Sequence, residues 1–228
     1  MSKHIGIVAC SAEGAALCYR TICIEAEQVM GRHSHPEITM HTYPLSDYMR
    51  YIGVGDSNGV ANLMLSSVQK LAKAGADFVI CPDNTIHEAF DMVAAKSPLP
   101  WLHIAEEVAG EAKRRDFTRV GVLGTRCLME GSVYANKLSA VGIKHAIPET
   151  LEREEINRII FEELVRGRFT SDSHDYLIRT IGRLKERGCD AVILGCTELP
   201  LAVTEEDSPL PTLDSTRLLA RAALRKAT

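Results

Sequence analysis

The chain has 228 residues, with 26 Lys plus Arg against 30 Asp plus Glu and a formal net charge of −4. It has no basic surplus of the kind that binds a phosphate backbone, so no nucleic-acid partner is expected. No apolar run approaches the roughly 18 residues of a membrane span. "MSKHIGIVACS" lacks the apolar core and small-residue cleavage site of a signal peptide, so a cytoplasmic location and no membrane partner are expected.

Short apolar runs alternate along the chain with longer amphipathic stretches. "HIGIVAC" (4–10) reads as a strand and "AALCYRTICIEAEQVM" as a helix. Next come His33, His35 and His41. Their spacing is the nearest to a metal site, but no Cys or carboxylate completes a tetrahedral set, and no metal is expected. "ITMHTYP" (38–44) is a second strand, and "VANLMLSSVQKLAKAG" a helix ending at Gly75. "DFVICP" and "LPWLHI" are further strands. "RVGVLGT" (119–125) restarts the pattern. "KHAIP" and "DAVILGC" follow as strands, with "EREEINRIIFEELVRG" and "HDYLIRTIGRLKERG" as helices. Such alternation predicts parallel sheets covered on both faces. The seven cysteines are odd in number and include no CxxC pair, which argues against a disulfide framework.

The chain also repeats itself. "LAKAGADFVICPDNT" and "LKERGCDAVILGCTE" align so that Leu71, Gly75, Asp77, Val79 and Ile80 match Leu184, Gly188, Asp190, Val192 and Ile193, each 113 residues apart. "IGIVACS" matches "VGVLGTR", and "SPLP" occurs at 97–100 and again at 208–211. Three matches in one order at nearly one offset imply a duplicated α/β unit. The expected fold is α/β, with two similar lobes related by a pseudo-twofold axis, each a parallel sheet flanked by helices, and the active site in the cleft between them. Expected boundaries are 1–115, 116–215, and a C-terminal helix at 216–228 that packs back on the first lobe.

In the repeat, Asp83 falls opposite Cys196. Each follows a core strand, and functional groups of open parallel sheets gather at the carboxyl ends of strands. Two proton-handling groups on opposite faces of one carbon can remove a proton from one side and return it from the other. A cysteine suits this work when its thiol is tuned, for example at a helix N-terminus, and "GCTELPLA" reads as such a start. Thr197 and Glu198 there, and Asn84 and Thr85 after Asp83, are candidates to satisfy first-turn amides. Asp is itself a preferred helix cap, and a Cys can simply be a small buried apolar side chain. Cys81 is a rival nucleophile, about 6.6 Å deeper along the strand.

"DNTIH", "GTRCLMEGSVY", "EELVRGRF" and "GCTELPL" resemble the aspartate/glutamate racemase family, which also holds hydantoin racemase, maleate isomerase and arylmalonate decarboxylase. The resemblance runs from "IGIVAC" to "LDSTRLLARAAL". It implies two α/β lobes, no cofactor, neither pyridoxal phosphate nor metal, a small amino acid or dicarboxylate as substrate, and a homodimer. The family's racemases carry a catalytic Cys before each motif. Here the first is Asp83, and Cys196 keeps the second. The resemblance further implies that Asn84, Thr85 and Thr197 hold a substrate carboxylate and that Ser11, Thr125 and Cys127 line the site. Arg168, where the family usually has Lys, would pair with the substrate's side-chain carboxylate. His87 and Glu198 are supporting candidates. The first loop, "CSAEGAA", departs from the Gly-rich loop of the aspartate branch, and its Glu13 would repel an acidic substrate. The function expected is a cofactor-independent racemase or epimerase of an aspartate- or glutamate-like amino acid, using an unequal Asp83/Cys196 pair. The alternatives are an isomerase or decarboxylase of a small carboxylic acid using Cys196 alone, and a non-catalytic small-carboxylate binding protein.

Overall fold

The computed structural model describes residues 2–228. It contains two four-stranded sheets, all of whose pairings are parallel. The first is built from β1 (Ile5–Ala9), β2 (Ile38–Thr42), β3 (Phe78–Ile80) and β4 (Trp101–Leu102), in the order β2-β1-β3-β4. The second is built from β5 (Arg119–Leu123), β6 (Lys144–Ala146), β7 (Ala191–Leu194) and β8 (Thr212–Asp214), in the order β6-β5-β7-β8. The two orders are the same.

The chain divides into two compact units. One runs to Ile104 and takes up Thr216–Thr228 as well, and the other is Ala105–Ser215. In the first, side chains alternate across the sheet. Ile5, Ile7, Ala9, Phe78 and Ile80 join one buried cluster with Cys18 and Ile22 of helix Ala12–Met30 and with Leu219, Ala220 and Ala223 of the final helix. Val8, Cys10, Val79 and Cys81 face the other cluster, with Met64, Val68 and Leu71 of helix Ser57–Lys73. Both faces are dry, which is why these strands read as unbroken apolar runs rather than alternating ones. In the second unit Leu123, Val192 and Leu194 pack on Ile156, Ile159, Leu177, Ile181 and Leu184.

The repeated residues have repeated structural tasks. Gly6 and Gly121 sit at matching points of the two central strands, opposite Val79 and Val192. A Cβ on Gly6 would lie 3.3 Å from Leu71 Cβ, and one on Gly121 would lie 2.8 Å from Leu184 Cδ1. The matched leucines therefore press on the matched glycines. Gly75 and Gly188 turn the chain out of the preceding helices at φ +92° and +82°, a left-handed conformation that a Cβ disfavours. Asp77 then accepts the backbone N–H of His4 at 2.7 Å, and Asp190 accepts that of Thr118 at 2.7 Å. Each carboxylate clamps the start of the neighbouring central strand.

Candidate active site

In a sheet of this order the connections from the two middle strands leave toward opposite faces. This opens a crevice at their carboxyl ends. In the first unit those ends deliver Ser11 after β1 and Cys81, Pro82 and Asp83 after β3. In the second they deliver Thr125 after β5 and Gly195 and Cys196 after β7. Register makes β1 the partner of β3, through Ile7 and Ile80, and β5 the partner of β7, through Leu123 and Leu194. Ser11 and Thr125 are also equivalent in role. Each caps the following helix, accepting the N–H of Gly14 at 3.3 Å and of Leu128 at 3.2 Å.

Asp83 is half-buried and opens the single-turn helix Thr85–Ala89. Its Oδ1 accepts the N–H of Ile86 at 3.2 Å, so the carboxylate itself fills the capping role the sequence assigned to Asn84 and Thr85. The backbone carbonyl of Asp83 lies 2.6 Å from His87 Nδ1. A carbonyl only accepts, so Nδ1 carries the proton and Nε2 is left to accept the N–H of Ile104, at 3.5 Å. His87 is 3% exposed and stacks on Phe90, with ring centroids 5.5 Å apart. It is a neutral brace holding the backbone beneath Asp83. Asn84 is buried and Thr85 half-buried.

Cys81 is fully buried, on the side of β3 that faces helix Ser57–Lys73. Burial, and then the Asp83 carboxylate, push its thiol well above the usual cysteine range. As a protonated thiol in the core it is a poor nucleophile, and the rival reading of Cys81 loses its basis.

Cys196 is 9% exposed. The glycine before it is required by packing, because a Cβ on Gly195 would meet Leu128 Cδ2 at 2.6 Å and the Leu123 carbonyl oxygen at 2.9 Å. The turn then passes through Thr197 and Glu198, 4% and 3% exposed, into helix Leu199–Ala202. That helix has four residues and its N-cap is Glu198. The sequence reading placed Cys196 at a helix start, but the helix begins three residues later and its single turn supplies little dipole. The expected caps are also rearranged. Instead of satisfying amides, Thr197 Oγ1 donates to Glu198 Oε2 at 2.7 Å and Cys196 Sγ donates to the same oxygen at 2.8 Å.

The remaining candidates are placed as follows. Cys127 and Glu13 are exposed, each in the first turn of the helix that follows its unit's central strand. Arg168 is exposed, and its Nη2 donates to the Glu162 carbonyl at 2.6 Å. It borders a cavity of about 610 Å³ with Arg158, Glu163, Tyr176 and Arg179, whose lining does not include Cys196. His41 pairs with Ser67 and Lys70, and His35 with the Pro36 carbonyl. Among the described residues no group of three or more His, Cys, Asp or Glu side chains could hold a metal ion, and no helix is long and apolar enough to cross a membrane.

Two buried side chains escaped the sequence reading. His103 is 4% exposed and sits 4.7 Å, ring to ring, from His87. It follows β4 as Asp214 ends β8, since Leu102 and Leu213 pair with Ile80 and Ile193. Carrying the "SPLP" repeat three residues further, to "WLH" and "TLD", would have found it. Tyr48 is fully buried on helix Leu45–Ile52, and burial keeps its hydroxyl protonated. No spacing in the sequence marks it.

Comparison with known proteins agrees with this fold. The chain is 32% identical to a candidate Asp/Glu racemase from Yersinia pestis, covering 99% of both chains with a TM-score of 0.91. It is 29% identical to an aspartate racemase homologue from Pyrococcus horikoshii OT3, again over 99% of both, with a TM-score of 0.84. It is also 25% identical over 169 residues to the broad specificity amino-acid racemase RacX of Bacillus subtilis, spanning 74% of this chain and 73% of that one. A sequence profile of the Asp/Glu/Hydantoin racemases matches residues 6–223, and the chain belongs to that family.

Proposed function

We propose that this chain is a cofactor-independent amino-acid racemase or epimerase in which Asp83 and Cys196 act as unequal partners at the α-carbon. The observation that carries the reading is the repeat. A carboxylate and a thiol hold the same place after the third strand of two sheets of one topology, while the residues that repeat around them are structural. In one direction the Asp83 carboxylate takes the α-proton and Cys196 Sγ–H returns one to the opposite face. In the other, the protonated Asp83 donates after the thiolate has abstracted. Asn84, Thr85 and Thr197 hold the substrate carboxylate, whose charge spreads as the carbanion forms. That stabilisation counts only if it is stronger in the transition state than in the bound substrate. An aspartate- or glutamate-like side chain and a homodimeric assembly belong to the same proposal.

The test follows the α-proton of a panel of D- and L-amino acids by NMR in D₂O. Exchange with inversion is expected for at least one acidic amino acid, and Cys196→Ala should slow it about 10³-fold, the scale of a lost general acid or base. Release of CO₂, or a shifted alkene signal from a small unsaturated acid, would replace this reading with a decarboxylase or isomerase. Binding without turnover would leave a carboxylate-binding protein.

A further inference from the structure

The turn after β7 holds more than a lone thiol. Sγ of Cys196 and Oγ1 of Thr197 converge on one oxygen of Glu198, and all three residues are more than nine-tenths buried. A carboxyl group that deep needs hydrogen-bond partners, and here two protein donors are supplied. The same contact acts on the thiol in two ways. Hydrogen bonding to the neutral S–H form favours that form, and a second negative charge 2.8 Å away opposes ionisation. Buried like charges at this distance do not both ionise, so one proton is retained by the pair. In the observed geometry it sits on sulfur, which donates to Glu198 Oε2. Tyr134, whose ring packs near Gly195, and Asp214, at the end of β8 beside β7, also lie near this turn. Burial keeps the Tyr134 hydroxyl protonated and therefore neutral.

We infer that Glu198 is a positioning residue that holds Cys196 as a hydrogen-bonded thiol at rest. Resting on the racemase reading above, this makes Cys196 enter turnover as the proton donor and Asp83 as the acceptor. The proton balance is simple. The C–H bond breaks toward Asp83, and the S–H proton forms the new C–H bond, leaving a thiolate beside the Glu198 carboxylate. That juxtaposition is unfavourable, and solvent returns a proton to sulfur while Asp83 releases its own. Glu198 thus resets the enzyme to one protonation form, and the resting enzyme is poised for the enantiomer whose α-proton faces Asp83.

The test reads the thiol and needs no substrate. The full chain is treated with iodoacetamide at fixed neutral pH, and modification of each cysteine is followed by peptide mass spectrometry. Exposed Cys127 serves as the internal reference. In Glu198→Gln, Cys196 should react about tenfold faster relative to Cys127, because removing the neighbouring charge releases the thiolate. Glu198→Asp, which restores the charge, should react at a rate nearer to wild type. An unchanged or slower reaction in Glu198→Gln would overturn the inference. A second measurement needs no Glu198 variant. The wild-type infrared spectrum should contain a hydrogen-bonded S–H stretch that disappears in Cys196→Ala, and its absence would also overturn the inference. Both results stand whether or not the chain inverts an amino acid, so failure here is distinct from failure of the racemase reading.

Discussion

The two units share a strand order, a glycine in the central strand, a left-handed glycine turn and an aspartate clamp, yet each furnishes the carboxyl ends of its own strands differently. In the first, Asp83 rests on a neutral histidine that ties down its backbone carbonyl. In the second, Cys196 rests on a buried carboxylate that engages its sulfur directly. One support fixes the position of a group, and the other fixes its protonation. The frame repeats, and the units differ a few residues beyond the third strand, where one has Asp83 and the other Cys196.

The comparison can be broken most forcefully at that residue. Asp83→Asn keeps the shape and removes the proton acceptor, and should slow inversion about 10²–10⁴-fold. Asp83→Cys, which makes the units alike, should retain exchange and bring the saturating rates in the two directions closer together. If Asp83→Asn inverts substrate as fast as wild type, the pairing of Asp83 with Cys196 fails.

A smaller effect separates the two frames themselves. An alanine at Gly6 would drive its Cβ to 2.8 Å from Val79 Cγ1, with Ala76 and Leu71 Cβ atoms also close. At Gly121 the 2.8 Å contact is with the end of a leucine side chain, which can rotate away. Urea unfolding should therefore find Gly6→Ala destabilised by about 1–3 kcal/mol and Gly121→Ala by less. Equal losses would mean that the two central strands are equally tight. The smallest and most symmetric prediction concerns the caps. Ser11→Ala and Thr125→Ala should each cost about 1 kcal/mol of stability in the same assay.

How far the sequence reached follows the same division. Strands buried on both faces announce themselves as apolar runs, and the repeat in Leu71, Gly75 and Asp77 against Leu184, Gly188 and Asp190 survives because packing, a positive φ and a backbone clamp each demand a particular residue type. That Asp83 and Cys196 each follow the third strand of a unit was readable from the offset alone. The partners of those groups were not. Glu198 read as a helix cap, since capping depends on local spacing, and nothing in "CTE" says that its carboxylate turns back onto sulfur. His103 lies beyond a two-residue strand too short to show a period. Tyr48 belongs to a helix whose burial depends on what packs over it. Arg168, singled out on resemblance, sits in an irregular stretch after Gly167, where the path of the backbone is set by tertiary contacts rather than by periodicity.

The final helix has a bearing on how the chain is made. Its Leu219, Ala220 and Ala223 are part of the core around β1 and β3, and the Ala227 carbonyl accepts the N–H of Lys3 at 2.9 Å. The first unit is therefore closed by residues synthesised after the whole of the second, whose own strands and helices are contiguous in the chain. At about 5–20 residues per second, the ribosome delivers a complete second unit before the first can bury its last face. The first unit therefore cannot bury its last face until residues 216–228 are made, whereas the second unit's residues form one continuous segment.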